Sequence, residues 1–224
     1  MKPKEILVFG ATGNIGRNLI RKLTKNNYKV VAVTRNIHQK GFQLKTQANP
    51  GYLELVELES LDEEKIKDLF NSCSVCINLI GILYEKNKGQ FNKIHSVLPN
   101  ILSKIAKEKK IDQFIHVSAL GVENASNSIY AKSKLDGENN VKKNFKNSLI
   151  LKPSIVYGID DNFTTNFMSL LSKLPIMPLY YNGETKFVPI HVSDLAEIIY
   201  QMISKEIKND TIESVSYTHL RAHE

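Results

Sequence analysis

The chain has 224 residues, of which 42% are hydrophobic, which suits one globular domain with a sizeable core, or one domain and the start of a second lobe. No stretch approaches the roughly 18 apolar residues of a membrane-spanning helix. The first residues lead directly into an apolar strand, so we expect no signal peptide and a cytoplasmic protein.

The formal net charge of +7 raises the hypothesis of nucleic-acid binding, but only four of the 30 basic residues are arginines. Base-reading proteins favour arginine and aromatic stacking, and no nucleic-acid module is recognisable. We therefore expect no nucleic-acid partner and interpret the lysines as a solvated surface. Attraction to an anionic membrane face or an acidic protein stays open.

A glycine-rich turn follows the first predicted strand, residues 5–9. Gly10 permits a sharp exit from the strand, Gly13 lets the backbone approach a pyrophosphate, and Gly16 lets the next helix pack closely on the sheet. The N-terminus of that helix offers unpaired N–H groups and a positive dipole end. An ordinary tight turn is the alternative, but the strand-turn-helix context favours a dinucleotide phosphate site.

The second predicted strand ends at Arg35, without the acidic residue that commonly holds a ribose 2′-hydroxyl. A guanidinium suits a 2′-phosphate through charge-assisted hydrogen bonds. The sequence thus predicts NADP(H) in preference to NAD(H), the alternative being a solvated surface arginine.

The remaining elements alternate along the chain. We predict a polar connection over 36–47 and further strands at 52–58, 75–80, 114–117 and 149–151. One short helix is predicted to begin at a Ser60/Glu63 capping box. Longer helices are predicted over about 91–109, with a kink at Pro99, over about 128–145 and over 163–174. Strands alternating with helices predict an α/β fold of the Rossmann type, a doubly wound parallel sheet with helices on both faces.

Domain boundaries follow from the change of pattern at Pro153. Residues 1–152 form the predicted NADP(H)-binding domain, and 153–214 begin a substrate-side lobe interleaved with it, with loops at 158–162 and 175–183. Residues 215–224 fit neither the pattern nor the composition and resemble a translated sequencing adapter. We expect the natural protein to continue past Ser214, truncated here before the lobe is complete.

Two cysteines, Cys73 and Cys76, form a C-x-x-C. A metal or redox site is one hypothesis. The sequence offers no second pair of cysteine ligands, however, so His95 or His116 would have to serve as a single additional ligand. We predict no metal site and two buried free thiols in a reducing compartment, on opposite strand faces. His116 and His191 are candidate proton donors or, on the simpler reading, satisfied core histidines.

A candidate catalytic group consists of Ser118, Tyr130 and Lys134. Tyr130 and Lys134 are four apart on one helix face, and Ser118 ends a predicted strand. An adjacent ammonium would stabilise phenolate and lower the tyrosine pKa from near 10. Cofactor binding by Tyr130 and Lys134 without turnover is the alternative.

The turn motif GATGNIG resembles that of extended and atypical short-chain dehydrogenases/reductases. Four further stretches make the resemblance specific to the atypical members related to the nucleotide-binding accessory subunit of respiratory complex I and its bacterial relatives: 77–85, 114–121, 152–158 and 188–196. The resemblance covers residues 5 to about 205.

This resemblance implies a tightly held NADPH, with partners among complex I subunits or quinones, and a location that is cytoplasmic or peripheral at the inner face of a respiratory membrane. It implies Tyr130 as general acid/base, Lys134 on the nicotinamide ribose and Ser118 orienting a substrate carbonyl. The implied cofactor contacts are Gly10, Thr12, Gly13, Asn14, Ile15 and Gly16 at the pyrophosphate, Arg35 at the 2′-phosphate, Ile80 and Gly81 at the adenine ribose, and Pro153 and Ser154 near the nicotinamide.

Three functions therefore remain open. The first is an accessory protein stabilised by NADPH, and the second is an active NAD(P)-dependent reductase or epimerase using Ser118, Tyr130 and Lys134. The third is a redox sensor that reads the NADPH/NADP⁺ ratio and binds a partner protein.

Overall fold

The computed structural model describes residues 5–60, 62–125, 127–159, 161–173, 188–208 and 210–215. Within them, strands and helices alternate in this order: β1 (Glu5–Phe9), α1 (Asn14–Lys25), β2 (Lys29–Thr34), α2 (Ile37–Gln47), β3 (Leu53–Glu57), α3 (Glu63–Leu69), β4 (Val75–Asn78), a π-helical turn (Asn92–Val97), α4 (Leu98–Glu108), β5 (Gln113–Val117), a 3₁₀ turn (Val122–Asn124), α5 (Ile129–Asn144), β6 (Ser148–Pro153), β7 (Val156–Tyr157), α6 (Asn162–Lys173), β8 (Ile190–His191), α7 (Val192–Ser204) and β9 (Asp210–Ser214).

Seven of the described strands form one sheet in the order β3-β2-β1-β4-β5-β6-β9, and every neighbouring pair is parallel. β7 and β8 form a separate parallel pair. The chain reverses its winding between β1 and β4, which places a crevice outside the carboxyl ends of these strands. The predicted Rossmann-type sheet is confirmed.

Apolar cores cover both faces of the sheet. On one face, α1, α2 and α7 pack on alternate strand residues, and on the other face α3, α4 and α5 do so. In α1, Leu19, Ile20 and Leu23 are fully buried, because their spacing puts them on one side of the helix. Strands covered on both faces are apolar at nearly every position, as in β1 and β4.

Several local predictions are wrong. The polar connection predicted over 36–47 is α2, which buries only Gly41 and Leu44 and is capped by the Asn36 side chain. The cap of α3 is Asp62, whose carboxylate accepts from the Glu64 N–H, and not Ser60. The helix predicted after residue 60 is present as α3, and only its cap differs. α2 was not predicted, because it buries too few apolar residues for a strong helical pattern.

The region after Pro153 contributes a helix to one face of the main sheet and a strand to its edge. α7 packs against α1, and β9 pairs with β6. β7 and β8 form a pair outside the seven-stranded sheet, but their Val156 and Ile190 side chains pack into the same apolar cluster as α1 and α7. The predicted domain division at Pro153 stays a prediction. The predicted loop at 175–183 and the segment 216–224 lie outside the described residues.

Candidate functional site

The turn between β1 and α1 is closed by backbone contacts that require glycine. Gly10 has φ +82°, and a Cβ there would lie 3.0 Å from the backbone of Leu79 and Ile80. A Cβ on Gly16 would lie 2.5 Å from the carbonyl oxygens of Gly10 and Ala11. Gly16 thus lets the first turn of α1 close on the glycine turn itself, a tighter approach than the predicted packing on the sheet.

The N-terminus of α1 has no side-chain cap, since its N-cap residue is Gly13. By contrast α2, α3, α5 and α7 are each capped by a side chain. The first turn of α1 contains no acidic residue, and Gly13 is exposed while Thr12, Asn14 and Ile15 are half-buried. Open N–H donors at the positive end of a helix dipole fit a diphosphate.

Arg35 follows β2 directly and is exposed. β2 is the neighbour of β1, with Val33 opposite Phe9, so Arg35 lies one strand away from the glycine turn at the same edge of the sheet. Within the described residues no hydrogen bond or ion pair engages its guanidinium. The nearby Glu57 carboxylate accepts from the Ile37 N–H at 2.9 Å, so this acid serves the N-terminus of α2.

Ile80 and Gly81 join the glycine turn to α5. The Ile80 N–H donates to Asn78 Oδ1 at 3.1 Å, and Ile80 is one of the backbone contacts of Gly10. A Cβ on Gly81 would lie 3.3 Å from Lys134 Nζ. These two residues therefore lie between the predicted phosphate site and the predicted catalytic helix.

Tyr130 and Lys134 lie on α5, whose N-cap Ser128 accepts from the Ala131 N–H. The Tyr130 ring is half-buried, edge-on to Phe91 and His95. Lys134 is 5% exposed, and its ammonium donates to the Val117 carbonyl at 3.2 Å. Burial lowers the pKa of Lys134 to about 8, against the opposing attraction of the Glu138 carboxylate.

The expected lowering of the tyrosine pKa is not found. Burial raises the pKa of the Tyr130 phenol, because desolvation disfavours phenolate. The Lys134 ammonium, directed at the Val117 carbonyl, is not among the groups that shift it. The structure brings both side chains to the same helix without the electrostatic coupling that the sequence predicts.

Ser118 is only 4% exposed, and its hydroxyl donates to Glu138 Oε1 at 2.5 Å. The other Glu138 oxygen lies 3.3 Å from Lys152 Nζ, which also reaches Glu123 at 3.1 Å. The serine is thereby part of an interior charged network between β5, α5 and β6. Its predicted role at a substrate carbonyl stays a prediction.

Glu138 and Lys152 belong to the site although neither was predicted from the sequence. Glu138 lies four residues after Lys134 and eight after Tyr130, so all three share one face of α5. That spacing was the available signal. Lys152 ends the apolar run of β6 with no comparable pattern around it.

Pro153 ends β6 and Ser154 follows it, at the same edge of the sheet. The Pro153 carbonyl accepts from the Leu120 N–H at 3.0 Å, and the Ser154 N–H donates to the Ser214 carbonyl at 3.0 Å. The first bond holds Pro153 beside the segment that follows Ser118, and the second connects Ser154 to the end of β9. Their predicted proximity to a nicotinamide stays a prediction.

His116 is buried, and its Nδ1 accepts from Asn78 Nδ2 at 3.2 Å, which puts the ring proton on Nε2. That Nε2 has no partner among the described residues, so the residue is a core histidine that is only half satisfied. Burial lowers its pKa to about 3, which favours the neutral ring. His191 instead caps α7, its Nδ1 accepting from the Ser193 N–H.

Cys73 and Cys76 are buried free thiols, as predicted. They belong to the same apolar cluster and not to opposite faces, because Cys73 precedes β4. Burial raises the pKa of Cys73 to about 12 and that of Cys76 well above its usual value. The described residues contain no metal-binding group of three or more histidines, cysteines or carboxylates, and no helix among them could span a membrane.

Two relatives and one solved structure show what the chain resembles. It is 31% identical over 193 residues (86% of this chain, 48% of the relative) to the mitochondrial NADH dehydrogenase [ubiquinone] 1 alpha subcomplex subunit 9 of Arabidopsis thaliana. It is 27% identical over 193 residues (85% and 58%) to the ceramide reductase of Caulobacter vibrioides. The chain thus spans about half the length of the curated relatives it matches.

Among solved structures, the UDP-glucuronic acid 4-epimerase of Bacillus cereus in complex with NAD matches with a TM-score of 0.77. That match covers 95% of this chain and 77% of the epimerase at 22% identity, which supports the fold. The sequence profile of the RmlD substrate binding domain matches residues 4–224. The resemblance to short-chain dehydrogenases/reductases is confirmed, and the chain belongs to the RmlD substrate binding domain family.

Proposed function

We propose that this chain binds a nicotinamide dinucleotide, NADP(H) in preference to NAD(H), and holds it as a stabilising group. Its role is that of an accessory protein linked to respiratory complex I or to quinone metabolism. Catalytic turnover is not part of this role.

The position of the Ser118 hydroxyl carries the proposal. A serine that orients a substrate carbonyl must point its hydroxyl into the crevice. Here the hydroxyl is inside the protein and donates to the Glu138 carboxylate, which Lys152 also holds. Charge-assisted hydrogen bonds of this kind are strong, so withdrawing the hydroxyl toward a substrate would cost about 1.5–3 kcal/mol.

The dinucleotide-binding half of the site supports the other part of the proposal. The uncapped N-terminus of α1 and the glycine turn fit a diphosphate, and Arg35 supplies an unengaged guanidinium one strand away. A 2′-phosphate there would gain charge-assisted hydrogen bonds that a 2′-hydroxyl cannot make. A bound dinucleotide in large excess over its dissociation constant would stabilise the fold by several kcal/mol.

The accessory role is supported by the relatives named as subunits of NADH dehydrogenase (ubiquinone), from a plant, mammals and an amoeba. A cofactor that stays bound would keep the sheet assembled for contacts with other subunits. Those contacts are proposals for the whole protein, since the chain spans about half of these relatives.

A second candidate function is that of an active NAD(P)-dependent reductase or epimerase. The retained Tyr130 and Lys134 favour it, as does the relative named ceramide reductase. When bound, a nicotinamide ring would supply hydride chemistry. On this view Lys134 would hold the ribose and Tyr130 would move a proton at the substrate oxygen.

The fluorescence of NADPH bound to the purified chain separates these functions. The proposal predicts that bound NADPH stays reduced when quinones or sugar nucleotides are added. Oxidation that disappears in Tyr130→Phe, with NADPH still bound to that variant, would contradict the accessory function and establish the enzyme.

A further inference from the structure

His95 lies in the π-helical turn Asn92–Val97, directly before α4. The side chain is 1% exposed and stacks on the Phe91 ring with a centroid separation of 5.4 Å. π-Helical turns are rare and occur preferentially at functional positions in helices. Neither the glycine turn nor the Ser-Tyr-Lys pattern accounts for a buried histidine at this place.

The hydrogen bonds of His95 define its tautomer. The Ile82 N–H donates to His95 Nε2 at 3.1 Å, so Nε2 carries no proton. The Ser133 hydroxyl donates to the Tyr130 carbonyl at 2.7 Å, so it accepts from the protonated Nδ1 of His95 at 3.0 Å. One neutral imidazole therefore joins the loop after β4 to the turn of α5 that bears Tyr130.

The backbone of His95 is fixed against α5 as well. Gly137 faces the His95 carbonyl so closely that a Cβ would overlap it. One turn further along α5, Asn140 Nδ2 donates to Ser96 Oγ at 3.1 Å. The π-helical turn and α5 are thus closely packed against each other, and the imidazole reaches from this interface to the loop.

The loop end of this connection lies at the predicted cofactor site. Ile82 follows Gly81, and the Cβ position of Gly81 is 3.3 Å from Lys134 Nζ and 3.8 Å from His95 Nε2. We propose that His95 is a positioning residue, which holds the 80–82 loop against Lys134 so that loop and α5 together form one wall of the dinucleotide site. That this wall faces a bound dinucleotide rests on the proposed function.

Electrostatics keep the connection intact at neutral pH. Burial, and to a smaller extent the Lys134 ammonium, lower the pKa of His95 to about 3. Protonation of Nε2 would replace the acceptor by a donor facing the Ile82 N–H. The neutral ring is therefore the form that holds the loop.

Two conservative variants separate the two ends of the connection. In His95→Gln, the side-chain oxygen can take the place of Nε2 and accept from Ile82, whereas in His95→Asn the amide can take the place of Nδ1 and donate to Ser133. Hydrogen exchange at the Ile82 amide in the ligand-free chain is the direct measurement. We expect protection close to wild type in His95→Gln and at least tenfold faster exchange in His95→Asn.

Dinucleotide affinity provides the second measurement. We expect His95→Gln to bind NADPH within threefold of wild type and His95→Asn to bind at least tenfold more weakly, with both variants showing cooperative thermal unfolding. Equal Ile82 exchange in the two variants would overturn the proposal. If wild-type protein binds no dinucleotide, the proposed function fails, and the exchange data alone decide whether His95 anchors the loop.

Discussion

The two halves of the site, the glycine turn and the region around α5, obtain their polar groups from different parts of the chain: the first from the backbone and the second from buried side chains. Around the glycine turn, backbone amides provide the polar groups, apolar side chains such as Leu19 and Ile20 provide the support, and the donors at the helix end are left open. Around α5, the polar groups are buried side chains, and Ser118, His95 and Lys134 already have partners inside the protein. The first half is arranged to receive an anion, whereas the second is arranged to hold itself together.

The glycine turn should respond most strongly to substitution. Gly10 and Gly51 both have φ +82°, but only Gly10 is crowded, by the backbone of Leu79 and Ile80. Gly51→Ala should cost about 1–2 kcal/mol of unfolding free energy through the left-handed backbone alone. Gly10→Ala should cost about 1–3 kcal/mol more through overpacking and should abolish NADPH binding. Urea denaturation measures the two losses of unfolding free energy, and calorimetry measures NADPH binding. Equal losses of unfolding free energy and of NADPH binding in the two variants would contradict the role of the turn.

The histidines of the second half should make stability acid-sensitive. The folded protein keeps His95 and His116 neutral, with pKa values lowered from 6.5 to about 3. Between these pH values the unfolded chain binds more protons, so the unfolding free energy falls as pH falls, by about 1.6 kcal/mol per histidine from pH 6.5 to 5.

Urea denaturation at several pH values measures that slope. His116→Asn can keep the acceptor for Asn78 and should remove about half of the slope, whereas His38→Asn on exposed α2 serves as the control. An unchanged slope in His116→Asn would mean that the ring is not held neutral by burial.

Cofactor preference should depend on Arg35. We expect Arg35→Ala to weaken NADPH binding about 10–100-fold, the equivalent of about 1.5–3 kcal/mol for hydrogen bonds to a charged group, and to leave NADH binding unchanged. Arg21→Ala, at an exposed position of α1, is the matched control. Parallel titrations with both dinucleotides measure the difference, and an equal loss for NADPH and NADH would refute the 2′-phosphate assignment.

The smallest effect is expected at Ser118. Since its hydroxyl serves Glu138, Ser118→Ala should change NADPH affinity less than twofold, while it lowers the unfolding free energy by about 1–3 kcal/mol by removing one partner of a buried carboxylate. A large loss of NADPH affinity with unchanged stability would show that Ser118 faces the crevice after all.

The same contrast explains what could be predicted from the sequence. β1, α1 and the turn carry local signals, namely apolar spacing and glycines at fixed positions. The interface of α5 with the preceding helix instead uses Ser133, Gly137, Asn140 and Asn144, which give no apolar stripe. The partner of Ser118 lies 20 residues away, so its burial could not be inferred from the strand alone.

Other elements were missed for related reasons. α2 buries too little to show periodicity, and β9 joins the sheet through a partner some 60 residues earlier in the chain. The π-helical turn lets Pro99 lie in the first turn of α4, so the kink predicted there is replaced by a change of helix type before it.

Titration calorimetry of the folded chain with NADPH and with NADH is the direct test of dinucleotide binding at the N-terminus of α1. We expect one site per chain, with NADPH bound at least tenfold more tightly than NADH. Absence of binding heat for both dinucleotides, in protein that unfolds cooperatively, would contradict the assignment of the α1 N-terminus and Arg35 as a dinucleotide site.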